Sequence, residues 1–184
     1  MLGPHVMALE ASGQDAVTRW VRGSWEVFFD LVPADVADAV AAIHADLDSL
    51  ADQLTAEETT LIHGDLWAPN FGLAPRRVLL LDWALACQAP AEMEFAFWVL
   101  WNCESMNVNP DTLLSDVRAV AGNRVDERMM HLAFLGELSG AGARGWAWNS
   151  VNHVDPATRK RERDELDWWI ERARNALDRA WSPM

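Results

Sequence analysis

The stretch Leu61-Ile62-His63-Gly64-Asp65-Leu66-Trp67-Ala68-Pro69-Asn70, followed by Leu80-Leu81-Asp82-Trp83, decides how the rest of the chain is read. Its apolar residues come in short groups, Leu61-Ile62, then Phe71-Gly72-Leu73, then Val78 to Leu81, with Ala74-Pro75-Arg76-Arg77 between the last two. Groups of that length divided by turn formers predict short strands and a small β-hairpin. Polar residues fall at the ends of those strands: Asp65, Asn70 five positions later, and Asp82 beyond the hairpin. Strand ends can bring such a set to one point, where the oxygens of Asn70 and Asp82 suit a hard cation such as Mg²⁺. Asp65 is then left to orient or deprotonate a hydroxyl. The plainer alternative is that Asp65 and Asn70 stabilise turns and Asp82 ends a strand.

Upstream of this island, Val36, Val40, Ile43, Leu47, Leu50 and Leu54 recur at alternating spacings of four and three. That pattern predicts one amphipathic helix of about six turns starting from Pro33, with Asp35, Asp38, Asp46, Asp48 and Asp52 on its solvated face. Residues 1–29 carry Gly3, Pro4, Gly13 and Gly23 among weakly patterned neighbours, and predict an irregular lead-in or a short helix around Asp15 to Val21. Downstream, Glu94 to Met106, Asp111 to Ala121 and Val125 to Leu138 read as helices. A last helix starts at Asp155-Pro156, where Asp can cap and Pro is tolerated in the first turn. Its buried stripe would be Leu166, Trp169, Ile170, Ala173, Leu177 and Trp181. The expected fold is therefore mainly α with a small β-hairpin island. It forms a single domain over residues 1–184, because no linker, repeat or low-complexity tract divides the chain.

Composition removes several classes of function. The 184 residues are 51% hydrophobic with 11 Trp, enough to bury a core and too apolar for disorder. A formal charge of −13 repels phosphate backbones and anionic membranes alike, so neither nucleic acid nor membrane is an expected partner. The longest wholly apolar run, Phe95 to Trp101, is too short to cross a bilayer, and no basic residue precedes Arg19 to begin a signal peptide. A cytoplasmic location is the expectation. Cys87 and Cys103 have no metal-ligand spacing and are expected to be reduced, mostly buried small hydrophobes.

His63-Gly64-Asp65 with Asn70, then Asp82-Trp83, resembles the catalytic loop and metal-binding loop of the aminoglycoside phosphotransferase family, which shares the protein-kinase-like fold. The kinase version is H-R-D with Asn five positions past the Asp, then D-F-G. The order of elements over residues 30–181 is also similar to the C-terminal, catalytic lobe of that fold. The resemblance implies that Asp65 is the catalytic base or hydroxyl-orienting residue. It implies that Asn70 and Asp82 hold Mg²⁺ against the phosphates of ATP or another nucleoside triphosphate. His63 becomes a packed support of the loop. Glu94 stands where the family has an Asp that braces the loop through backbone hydrogen bonds, one methylene longer here. Trp67, Ala68 and Ala84 also depart from common family choices, without touching a phosphate or metal ligand. Related families phosphorylate hydroxyls of small molecules such as aminoglycosides, choline, homoserine, sugars or macrolides, and the acidic balance favours a cationic acceptor.

The fold takes part of its phosphate clamp from an N-terminal lobe with a glycine-rich loop and a strand-borne lysine. Upstream of His63 the glycines are Gly3, Gly13 and Gly23, and the chain's only lysine is Lys160, in Arg159-Lys160-Arg161. The expectation is a catalytic lobe with its N-terminal lobe absent, as a truncated gene product in preference to an expressed fragment or a stand-alone lobe. Its exposed cleft face should then be apolar and invite self-association. Two other functions compete. One is a non-catalytic kinase-like interaction or ligand-binding module, with Trp146, Trp148, Trp168 and Trp169 as a contact patch unless they pack in the core. The other is a hydrolase holding a transition metal on His63, Asp65 and Asp82. That would need a further imidazole or carboxylate nearby, and His44 and His131 fall on helix patterns instead.

Overall fold

The computed structural model describes residues 16–181. Its helices are α1 (Ala16–Leu31), α2 (Ala34–Ala45), α3 (Leu47–Thr55), α4 (Ala91–Met106), α5 (Pro110–Ala121), α6 (Glu127–Leu138), α7 (Ala141–Asn152) and α8 (Pro156–Arg179). The strands are β1 (Thr60–Ile62), β2 (Phe71–Ala74), β3 (Arg77–Leu80) and β4 (Cys87–Ala89). The chain forms two compact units, one made of the chain up to Leu50 together with Phe134 onward, the other of Ala51–Ala133.

In the first unit, the lead-in departs from expectation. Residues 16–29 are neither irregular nor a short helix, because α1 runs unbroken through Gly23 to Leu31. Gly23 does not break the helix, and a Cβ there would make only an ordinary contact, 3.5 Å from the Trp148 ring of α7. The rest of the expected lead-in, with Gly3, Pro4 and Gly13, lies outside the described residues.

The single helix expected from Pro33 to Leu54 is also corrected, to α2 and α3, which part at Asp46 (φ −143°, ψ 84°). Val36, Val40, Ile43, Leu50 and Leu54 are all buried, so the apolar period continues across the junction and does not reveal it. Asp46 does: its N–H still bonds to the Ala42 carbonyl as the end of α2, and its carboxylate accepts the Ser49 N–H at 3.2 Å. A side chain that caps the next helix offers the backbone an alternative to continuing the last one. Asp35, on the exposed face, reaches Arg174 of α8 through two bonds of 2.8 and 2.9 Å.

α8 starts as its sequence requires, with the Asp155 carboxylate accepting from the backbone of Ala157 and Thr158 and Pro156 in the first turn. Leu166, Trp169, Ile170 and Ala173 are buried. Leu177 is half-buried, and Trp181 falls beyond the helix end. Around Trp169 stand the rings of Phe134 at 5.2 Å, Trp168 at 5.2 Å and Trp146 at 5.8 Å, the last stacked and the others edge-on. The Arg172 guanidinium covers Trp168 at 4.6 Å. These tryptophans are therefore core and its lining, held by area and ring geometry.

In the second unit β1 pairs antiparallel with β4, Ile62 opposite Cys87, and β2 with β3, Phe71 opposite Leu80. The expected hairpin is present, with Arg76 in its turn at φ 62°. Cys87 is exposed, against expectation, although Ile62 opposite it on β1 is buried. Cys103, on α4, is buried, and its thiol donates to the Val99 carbonyl. Helix α4 packs on α5, on β1 and on the short turn Ala68–Asn70, so it lies directly behind the loop that follows β1.

Candidate functional site

His63, Asp65, Asn70, Asp82 and Glu94 all belong to the second unit. After Ile62 the chain leaves β1 and takes no regular form until the turn at Ala68–Asn70. Gly64 permits that departure. Its φ is +74°, and a Cβ there would stand 2.3 Å from the Leu85 carbonyl oxygen, so both the backbone angle and the space demand glycine.

His63 is buried and uses both ring nitrogens. Nε2 donates to the Leu81 carbonyl at 2.8 Å, and Nδ1 accepts the Asp65 N–H at 3.3 Å. The two roles together fit a neutral imidazole protonated on Nε2. One ring thus ties the loop carrying Asp65 to the segment entering Asp82, with Trp83 against its face at 4.7 Å.

Asn70 makes the second tie. Its Nδ2 donates to the Asp65 carbonyl at 2.9 Å and to the Asp65 carboxylate at 2.8 Å, which leaves Oδ1 as the amide atom open to a further partner. The Leu81 N–H donates to the Asn70 carbonyl at 2.9 Å, so the residue before Asp82 is one hydrogen bond from Asn70. Asp82 is exposed and takes the left-handed conformation (φ 57°, ψ 70°), which few residues other than glycine adopt at low cost. One of its carboxylate oxygens accepts the Ala84 N–H at 3.4 Å, leaving the other.

Glu94 lies in the first turn of α4. Its Oε2 accepts the backbone N–H groups of both His63 and Gly64, the latter at 3.3 Å, so the extra methylene does not keep the carboxylate from the loop. Asn102 is a residue that sequence reasoning missed. It is fully buried, accepts the Ala68 N–H at 2.7 Å, and donates to the carbonyls of Leu66 at 3.0 Å and Trp98 at 2.9 Å. The available signal was a lone amide directly after the apolar run Phe95 to Trp101, eight positions from Glu94 and so on the same helical stripe.

Chemically, Asn70 and Asp82 offer an oxygen-only donor set. Such a set suits Mg²⁺, which keeps several waters and takes phosphate oxygens as its other ligands. Among the described residues no group of three or more His, Cys, Asp or Glu is placed to hold a metal ion. His63 has both nitrogens engaged by the chain itself. The hydrolase with a transition metal on His63, Asp65 and Asp82 therefore lacks its ligand cluster. His44 and its neighbours belong to the other unit, where its Nε2 meets the Ser139 carbonyl at 2.9 Å and its ring packs on Trp25 at 4.6 Å.

A family model described as a phosphotransferase enzyme family matches residues 6–131, more than half of the chain and the whole of this site. No curated protein and no solved structure matches it. No described helix is long and apolar enough to cross a membrane.

Proposed function

The chain belongs to the phosphotransferase enzyme family, and we propose that it is the catalytic and substrate-binding lobe of an ATP-dependent phosphotransferase acting on a hydroxyl of a small molecule. The observation that carries this reading is the Asn70 amide. Its nitrogen holds Asp65 by carbonyl and carboxylate, while its oxygen is left for a cation beside the segment that bears Asp82. In this reading Asn70 Oδ1 and the Asp82 carboxylate hold Mg²⁺, which neutralises charge on the phosphates of ATP or another nucleoside triphosphate.

Asp65 orients the acceptor hydroxyl and takes its proton. Its side chain is half-exposed and so reachable, while the bond from Asn70 restricts it to one orientation. His63 and Glu94 hold the loop in place. The formal charge of −13 favours a cationic acceptor such as an amino sugar. ATP as donor fits a cytoplasmic location, which we propose with it.

No lysine precedes His63, and Lys160 is on α8, paired with Asp164. In our reading the phosphate clamp therefore comes from outside residues 16–181, on a further lobe. Exposed apolar side chains in and around the loops, Leu61, Trp67, Leu81, Trp83 and Leu85, favour such an apposition, or self-association without it. The same side chains favour a second reading, a kinase-like interaction or ligand-binding module that transfers nothing.

The test joins the chain to the N-terminal lobe of a family member. The joined protein is expected to transfer phosphate from ATP, and Asp65→Asn or Asp82→Ala should lower the rate by at least about 10²-fold. The chain by itself should show no measurable transfer. Transfer that survives Asp65→Asn would move the chemistry to another residue. A stable protein complex formed without any Mg²⁺-dependent nucleotide binding would support the second reading.

A further inference from the structure

We infer that Asn102 is a positioning residue for Asp65, and that α4 carries a two-point clamp, Glu94 and Asn102, which fixes the backbone on both sides of that aspartate. The functional meaning of the clamp rests on the role proposed for Asp65; the clamp itself rests on geometry. Glu94 takes the N–H groups of His63 and Gly64, before Asp65, and Asn102 takes the carbonyl of Leu66 and the N–H of Ala68, after it. The third bond of Asn102, to the Trp98 carbonyl one turn back on its own helix, fixes the plane of the amide. Its remaining donor and its oxygen are thereby aimed at the loop.

This clamp is needed because the loop has no strand ladder. Its internal backbone bonds are the turns from Trp67 N–H to the Asp65 carbonyl and from Asn70 N–H to the Trp67 carbonyl. Turns of that kind set a local shape and leave the loop's position on the helix to other groups. Asn102 is 0% exposed and its loop partners, the Leu66 carbonyl and the Ala68 N–H, lie in half-buried residues, so losing its side chain would leave two poorly solvated groups without their partner. A displacement of about one ångström at a reacting group can cost on the order of 10²-fold in rate. A side chain that fixes Asp65 from behind is therefore part of what makes the site usable, without touching substrate.

The test uses the isotopically labelled full chain, amide exchange by NMR, and Mn²⁺ alone as a paramagnetic stand-in for Mg²⁺ at oxygen ligands. In the unaltered chain the Ala68 amide should be protected, with a scalar coupling across its hydrogen bond to the side-chain carbonyl carbon of Asn102. Asn102→Leu keeps the volume and removes the bonds. It should speed exchange at Ala68 by about 10- to 100-fold and weaken Mn²⁺ binding by about tenfold, while amides within α4 and α5 keep their protection. Unchanged exchange at Ala68 would overturn the inference. So would a uniform loss of protection over residues 51–133 with unchanged Mn²⁺ affinity, the signature of a residue that only supports the fold. Should Asn102→Leu not accumulate as folded protein, the coupling in the unaltered chain decides, and its absence overturns the clamp. If Mn²⁺ broadens the resonances of neither Asn70 nor Asp82 in the unaltered chain while Ala68 is protected, the phosphotransfer reading fails and the clamp stands.

Discussion

The centre of the helical unit and the loop of the island unit are held by different means. In the helical unit, Trp169 is enclosed by Phe134, Trp146 and Trp168, and α8 buries Leu166, Ile170 and Ala173 beside it. Its Asp35–Arg174 ion pair is on the surface, and its buried Ser24 and Ser139 hydroxyls donate only to carbonyls three residues back. In the island unit the order is reversed around the loop. His63, Glu94 and Asn102 are buried polar groups, while Leu61, Leu73, Val78, Leu81 and Leu85 are exposed. Apolar burial contributes free energy roughly in proportion to area and has no preferred direction. Hydrogen bonds contribute less net energy but are directional. The island unit has an apolar core of its own, with Val99, Leu113, Met130 and Leu132 buried, and directional bonds are added to it at the loop, where position matters.

Removing the aromatic centre should give the largest effect and would break the comparison if it did not. Trp169→Ala leaves a cavity that its ring neighbours cannot fill, and should cost about 3–5 kcal/mol in denaturant unfolding. A loss below about 1 kcal/mol would mean that packing does not hold the helical unit. Next comes Gly64→Ala, which puts a non-glycine residue at φ +74° with its Cβ 2.3 Å from a backbone oxygen. That oxygen is main chain and has to move. The expected cost is about 2–4 kcal/mol, read as faster amide exchange in residues 60–90 with little change in α7 and α8. Equal loosening of both units would erase the distinction between them.

How far the sequence reveals each unit follows from the same contrast. The stripe of α8 is legible because burial by area leaves a periodic trace, and Leu166, Trp169, Ile170 and Ala173 follow it. The hairpin and the cluster of His63, Asp65, Asn70 and Asp82 are legible from turn residues and from polar groups at strand ends. The break at Asp46 is not, because the apolar period passes through it and the decisive bond is a local cap. Nor is the full length of α1, since Gly23 reads as a breaker although the helix runs straight through it. Asn102 is hardest of all. Its loop partners lie 34 and 36 positions away, and a single directional contact at that separation leaves no repeating pattern.

Glu94 sharpens the comparison at smaller magnitude. Glu94→Gln keeps the size of the side chain, weakens the charge-assisted acceptance of two N–H groups, and turns an amide into a confined space. The expected cost is about 1–2 kcal/mol, with the loss of protection concentrated at His63 and Gly64. An effect spread evenly through α4 and α5 would make Glu94 an ordinary helix residue and remove one point of the clamp.

The smallest effect should come from the exposed ion pairs, and here the units should behave alike. Arg118 reaches Glu127 through two bonds of 2.9 and 2.7 Å, as Arg174 reaches Asp35 in the helical unit. The hydrogen bond from Arg118 is the chief reason that the Glu127 carboxyl is held below its ordinary value of 4.5. A carboxylate whose folded pKa is depressed contributes stability above the unfolded value and loses it as pH falls through the folded one. The unaltered chain should therefore be more stable than Arg118→Leu by a constant margin, about 0.5 kcal/mol or less, from neutral pH down to about 4.5. Below that value the margin should shrink towards zero as the carboxylate takes up its proton. Denaturant unfolding of both proteins across that range measures it. A margin that persists undiminished well below pH 4.5 would assign the effect to packing of the Arg118 stem, and one of several kcal/mol would show that surface charge holds the island unit together after all.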